Sequence, residues 1–162
     1  MPMNKKQTEI LNDYFLHSAL HLLTLEEQCL RRRCAKDLSI RELHVIEAVA
    51  ALLEGGKNTM AEIARYLHLS PASLTTAVNV LVRKEYLIRE YSAVDRRVIY
   101  VRLTEKGREA NRAYLDFERE MIAEITKNID EASADAMIDA LLRMSEYLEA
   151  GADELASEGS NE

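Results

Sequence analysis

Thr59-Met60-Ala61-Glu62-Ile63-Ala64-Arg65-Tyr66-Leu67-His68-Leu69-Ser70-Pro71-Ala72-Ser73-Leu74-Thr75-Thr76-Ala77-Val78-Asn79-Val80-Leu81-Val82-Arg83-Lys84 is the stretch that decides the fold. Thr59 with Glu62 three residues on has capping-box spacing, and it opens a short helix that turns Ile63, Ala64 and Leu67 inward. Ser70 followed by Pro71 supplies an N-cap and a first-turn proline, and Leu74, Val78 and Leu81 recur at i, i+4 and i+7. Two short helices about three residues apart, with the small Ala64 where they must cross, predict a helix-turn-helix. The outer side of the second helix carries Ser70, Ser73, Thr75, Thr76, Asn79 and Arg83, followed by Lys84. Those are groove-reading types. Hydroxyls near a helix start reach base edges or phosphates, Asn79 can pair with an adenine edge, and Arg83 and Lys84 neutralise phosphates.

Downstream the period changes from helical to alternating. Tyr86 to Tyr91 and Val98 to Leu103 are rich in β-branched and aromatic residues and predict a two-stranded hairpin. Its connecting segment ends in Asp95-Arg96-Arg97, a loop tip that projects guanidinium groups as a wing. Arg97 can enter a narrow minor groove, with Asp95 holding its guanidinium by a bidentate bond. The alternative is that Asp95 and Arg97 only stabilise the turn. Thr104 then caps a helix carrying Ala110, Tyr114, Phe117, Met121 and Ile125, and Asp130 caps a last one carrying Ala134, Ile138, Leu141 and Leu148.

Upstream, residues 7–30 read as one long helix, a basic link follows, and Ser39 to Glu42 is a further capping box opening a helix that Gly55-Gly56 ends. The expected class is mainly α: a winged helix-turn-helix with long flanking dimerisation helices and a two-stranded wing hairpin. The divisions are 1–38 for the N-terminal dimerisation helix and basic link, 39–104 for the winged DNA-binding core, 105–150 for the C-terminal dimerisation helices, and 151–162 for an acidic, disordered tail. The flanking helices carry apolar stripes that the core cannot cover, so a second copy is expected to cover them.

The chain of 162 residues has a net charge of −7 and is 48% hydrophobic. The sign is unevenly spread: residues 1–56 net −1, 57–108 net +5 and 109–162 net −11. Only the middle block suits a polyanion, which is the footprint of a nucleic-acid-binding module. Apolar runs such as Val45 to Leu53, interrupted by Glu47, reach about half the ~20 residues a membrane crossing needs. No membrane association is therefore expected. The opening residues show no secretory pattern and two cysteines make no disulfide framework, which predicts a reducing, cytoplasmic setting. No phosphate loop, nucleophile elbow or metal-hydrolase motif is present, so an enzyme is not expected. A helical adaptor that binds only protein is the remaining alternative.

Asp95-Arg96-Arg97-Val98, then Leu103-Thr104-Glu105-Lys106-Gly107-Arg108, resembles the wing and post-wing helix of MarR-family winged-helix repressors, with Ser70 to Thr76 in the recognition-helix position. The resemblance runs from about residue 8 to 149. It implies a homodimer reading double-stranded DNA at a pseudo-palindromic operator, with half-sites about one duplex turn apart. Two positions depart from the family pattern: Glu85 and His68 stand where glycine is usual, and a left-handed backbone there costs roughly 1 kcal/mol each.

Within that family, Lys36 to His44 and Leu74-Thr75-Thr76 with Asn79 are similar to the fatty-acid-biosynthesis repressors. That resemblance implies long-chain acyl-acyl carrier protein as corepressor, with no cofactor required. Acyl carrier protein is strongly acidic, and Arg31, Arg32, Arg33, Lys36 and Arg41 form a basic cluster that would suit it. The cluster could equally be a solvated link or a phosphate-contacting loop. An acyl chain would need an apolar slot, which Leu16, Leu20, Leu23, Leu43, Ile46, Tyr114, Phe117 and Met121 could line, or these could be ordinary core.

Two further sensing readings use other residues. His17 and His21, four apart, could share a zinc ion with His44, Cys29 or Glu47, although such a pair is more often packing or surface. Cys29 and Cys34 beside Arg31 to Arg33 could sense peroxide, although two isolated cysteines are usually plain reduced residues.

Overall fold

The computed structural model describes residues 3–29, 32–33 and 36–158. The chain begins with α1 (Lys5–Asp13), capped by Asn4, continues through a π-helical segment (Tyr14–Ser18) and goes on as α2 (Ala19–Cys29). The predicted long first helix therefore exists with a π segment near its middle. α3 (Ile40–Leu53) starts on the Ser39 capping box, with both reciprocal bonds formed: Glu42 N donates to Ser39 Oγ at 3.3 Å and Ser39 N donates to Glu42 Oε2 at 2.7 Å. α4 (Met60–Tyr66) has half of its predicted box. Thr59 accepts from Glu62 N, while the Glu62 carboxylate pairs with Arg65 at 2.8 Å. α5 (Pro71–Arg83) begins on the Ser70 cap with Pro71 in its first turn.

β1 (Leu87–Tyr91) and β2 (Ile99–Leu103) pair antiparallel, Leu87 opposite Leu103 and Tyr91 opposite Ile99. The hairpin is tied to the α3–α4 connection by Asn58. Its backbone carbonyl accepts from Val101 N at 2.9 Å and its buried side-chain amide donates to Val101 O at 2.7 Å. A polar side chain in the interior thus has a hydrogen-bond partner.

α6 (Glu105–Thr126) follows Thr104, whose hydroxyl oxygen accepts from Gly107 N at 3.0 Å, and α7 (Glu131–Glu158) follows Asp130, which accepts from Ser133 N at 2.9 Å. The chain forms two compact units, residues 1–117 and 118–162. In the first, Leu43, Ile46, Val49, Ile63, Leu74, Val78, Leu81, Tyr86, Leu87 and Val101 form one core of fully or almost fully buried side chains. Here the stripes predicted for α3, α4 and α5 meet.

One expectation is overturned. Of the tail predicted to be disordered, residues 151–158 are helical, and residues 159–162 lie outside the described residues. Its acidic character suggested disorder, but Ala152, Glu154, Leu155 and Ala156 are good helix formers, with Asp153 the one poor former among them.

His68 and Glu85 take left-handed backbones, φ 50° and 64°, as their places in the two turns require. Gly107 is needed for a different reason. A Cβ there would overlap the Tyr86 carbonyl oxygen and lie 3.3 Å from Leu103 Cδ2, so glycine lets the first turn of α6 close on the start of the hairpin.

Candidate nucleic-acid interface

The outer face of α5 follows from its inner one. With Leu74, Val78 and Leu81 buried, Ser73, Thr75, Thr76, Asn79 and Arg83 are exposed. Thr75 and Thr76 donate their hydroxyl protons to the carbonyls of Pro71 (2.7 Å) and Ala72 (3.1 Å), one turn back. With its proton used, each hydroxyl has only acceptor lone pairs left to offer. Ser70 and Ser73 share a hydrogen bond at 2.8 Å, and Ser70 Oγ also accepts from Ser73 N at 3.2 Å, so Ser70 is first of all the helix cap.

Asn79 is engaged by a residue that sequence reasoning missed. Arg89 Nη1 donates to Asn79 Oδ1 at 2.7 Å, and Thr76, Asn79, Val80, Val82, Arg83 and Arg89 line one groove between α5 and the hairpin. The available signal was the two-residue period of β1, which puts Arg89 on the same face as buried Leu87.

Lys84 requires a correction. Predicted to neutralise phosphate, it points inward: Nζ donates to both Glu42 carboxylate oxygens (2.8 and 2.9 Å) and to the Asp37 carbonyl. Around it, Tyr86 donates its hydroxyl proton to Asp37 Oδ1 at 2.8 Å. Lys106 donates to the Lys84 carbonyl at 2.9 Å and lies 4.1 Å from the centre of the Tyr86 ring. The Tyr86 hydroxyl holds the Asp37 carboxyl below its usual range. For Glu42, burial pushes upward, but the bonds from Lys84 and Ser39 outweigh it and the result also lies below the usual range.

In the wing loop, Ser92 Oγ accepts from Val94 N and Asp95 N, and Asp95 Oδ1 accepts from Arg97 N at 2.9 Å. The expected bidentate bond from Arg97 to Asp95 is absent, because the carboxylate is used by the backbone of the turn. Arg96 and Arg97 are exposed, and their guanidinium groups have no acceptor among the described residues.

The residues expected to line an acyl slot are split between environments. Leu43 and Ile46 are completely buried in the winged core, Leu20 and Leu23 are exposed, and Phe117 packs half-buried against the core. Met121 belongs to the second unit, and the Leu16 side chain lies outside the described residues. Where a slot was expected among α2, α3 and α6, the buried Tyr114 donates to Glu26 at 3.1 Å, and His44 lies 3.9 Å from the same carboxylate.

The basic cluster also divides. Lys36 lines a depression with Ser39, Glu42 and Lys84, while Arg41 lines another with His44, Leu67, Leu69 and Ser73 beside α5. Arg32 and Arg33 are exposed, and Arg31 lies outside the described residues. Cys29 is buried, unlike a peroxide-sensing thiol, and Cys34 lies outside the described residues. His17 sits 3.6 Å from Asp13, and no three His, Cys, Asp or Glu side chains gather to hold a metal ion among the described residues.

A helix-turn-helix with an open polar recognition face, followed by a hairpin with exposed arginines at its tip, defines a winged helix-turn-helix protein. The chain belongs to the MarR family. The MarR family model matches residues 36–98, and the fold is similar to Streptococcus pneumoniae FabT, solved in complex with DNA. That likeness has 30% identity and a TM-score of 0.79, and covers 88% of this chain and 98% of the other. It is also similar to the Staphylococcus aureus MepR–DNA complex, with 20% identity, a TM-score of 0.70, and coverage of 83% of this chain and 93% of that one. In sequence the chain matches the Bacillus subtilis HTH-type transcriptional regulator YpoP, 33% identical over 72 residues. That stretch is 44% of this chain and spans about half, 49%, of that relative's length.

Proposed function

We propose that this chain is a DNA-binding transcriptional repressor that acts as a homodimer in the cytoplasm on a pseudo-palindromic operator. The observation that carries the reading is the pairing of an exposed polar face on α5 with the exposed guanidinium groups of Arg96 and Arg97, which have no acceptor among the described residues. One element suits the major groove, the other the adjacent minor groove. Dimerisation is supported by apolar side chains left exposed in each unit separately: Ile10, Leu20 and Leu25 in the first, Ile138, Leu142 and Leu148 in the second. A chain exposing that many large apolar groups gains by covering them with a second copy.

The regulated genes in this reading are those of fatty-acid biosynthesis, with long-chain acyl-acyl carrier protein as corepressor. Support comes from the likeness to FabT and from the exposed cations Arg32, Lys36 and Arg41, which suit an acidic carrier. The test is a titration on a duplex selected by the protein from a random library, at fixed salt. Long-chain acyl carrier protein is expected to tighten binding more than free fatty acid or unacylated carrier. Equal effects from all three would overturn the corepressor, and absence of any selected duplex would overturn DNA binding itself.

A further inference from the structure

We propose that Arg89 is a specificity-determining residue: from the wing strand it fixes the Asn79 amide so that α5 offers the major groove a hydrogen-bond donor in place of the donor–acceptor pair that reads adenine. The inference rests on the DNA-binding reading above and deepens it.

A guanidinium has only N–H groups and can accept nothing. With Arg89 Nη1 2.7 Å from the Asn79 side chain, the amide atom facing it must be oxygen, and the NH2 group is turned away from it. Asn79 is exposed, one turn beyond Thr75 and Thr76 on the outward face of α5, and its NH2 has no acceptor among the described residues. Reading adenine in the usual way needs both ends of the amide, the oxygen accepting from N6–H and the nitrogen donating to N7. Here the oxygen is already bonded to a charged donor, the stronger kind of hydrogen bond. What remains is a donor, which matches edges that only accept: N7 and O6 of guanine, or O4 of thymine.

Arg89 is in a position to impose this geometry because its own backbone is not free. It is the central residue of β1, paired with Val101, and Val101 is itself bonded to the buried Asn58. Half-buried, Arg89 lines the same groove as Thr76, Asn79 and Arg83. The hairpin thereby shapes what the recognition helix reads, apart from any DNA contact made by its own tip.

The test begins with wild-type selection from a randomised duplex library. Affinities for all four base pairs at each position of the selected site are then measured for wild type, Asn79→Ala, Arg89→Ala and Arg89→Lys, with thermal melts checking that each variant is folded. The position where Asn79→Ala flattens the preference marks the contact. Wild type is expected to prefer guanine or thymine there. Arg89→Ala should shift the ratio towards adenine by about fivefold or more. Arg89→Lys, which keeps one charged donor and is the variant least able to disturb the strand, should retain part of the wild-type preference.

The proposal is overturned if Arg89→Ala leaves that profile unchanged, if wild type prefers adenine at the position, or if no position responds to Asn79→Ala. It is also overturned if Arg89→Ala weakens every sequence equally and lowers the salt slope by about one, which is the signature of a phosphate contact. Failure of the wild type to enrich any sequence removes the DNA-binding reading, and this one with it.

Discussion

The corner where α5 gives way to β1 and the loop at the far end of the same hairpin are both rich in charge, and they use it in opposite ways. At the corner, Lys84, Lys106, Glu42 and Asp37 all have partners, with the Tyr86 hydroxyl and ring closing the set. At the loop, Asp95 is used only by the backbone of its own turn, while Arg96 and Arg97 extend into solvent without an acceptor among the described residues. A cation paired within the chain is part of the fold. One left unpaired at a tip is available to a ligand, and the two cannot be told apart by counting charges.

The largest effect is expected where the corner depends on close approach. Gly107→Ala puts a methyl group into the Tyr86 carbonyl and against Leu103, both parts of the packed interior. The loss should be about 3 kcal/mol in urea denaturation, the upper part of the range for overpacking. A loss below about 1 kcal/mol would mean that α6 can move away from the hairpin at little cost.

Next is the corner's central cation. Lys84→Ala removes a pair whose side chains are 29% and 15% exposed, leaving Glu42 half-buried with its Ser39 bonds but no charged partner. Allowing for the screening of a partly solvated pair, about 1–2 kcal/mol should be lost. The salt slope of DNA binding should not change, whereas a phosphate-contacting lysine would lower it by about one. The acid dependence follows from the direction of the Glu42 shift. Because the folded state holds this carboxyl below its ordinary value of 4.5, stabilisation is complete above that value and drains as pH falls through the lower folded one. The stability difference between wild type and Lys84→Ala should therefore be flat above about pH 5 and shrink below about pH 4. A difference that grows on acidification would contradict the pairing.

Arg97→Ala should behave as the mirror image. Its melting temperature should match wild type, since only its backbone N–H serves the turn. Affinity for a selected duplex should fall about tenfold and the salt slope by about one. Lost stability with unchanged affinity would move Arg97 to the same class as Lys84.

These contrasts also explain which features were legible in the sequence. The caps at Ser39, Ser70, Thr104 and Asp130 and the hairpin strands to within a residue depend on neighbours a few positions away, while the left-handed turns at His68 and Glu85 were implied by the family resemblance. The polar face of α5 was legible because a helical period fixes both sides at once. Lys84 was misread because its partners, Glu42 and Asp37, stand more than forty positions upstream, and Arg89 was missed because Asn79 is on a different element. The acyl slot was drawn from apolar stripes, which indicate the direction a side chain faces and say nothing of whether space remains there. Leu43 and Ile46 face inward as expected, into an interior that other side chains fill.

The smallest predicted effect isolates backbone strain at the corner. Glu85 has φ 64°, its N–H donates to Val82 O at 3.0 Å and its carbonyl accepts from Thr104 Oγ1 at 2.6 Å, so the left-handed conformation is held from both sides by bonds that any residue retains. The side chain is exposed, and nothing among the described residues binds it. Glu85→Gly therefore loses no contact and relieves the crowding of Cβ in that conformation, against the greater chain entropy glycine has when unfolded. The net gain should be about 0.5–1 kcal/mol, seen as a raised melting temperature. Glu85→Ala is the control, because it removes the carboxylate from the end of α5 but keeps the Cβ. If the two variants melt together, the gain comes from charge at a helix terminus; if only glycine raises the melting temperature, the strain lies in the backbone.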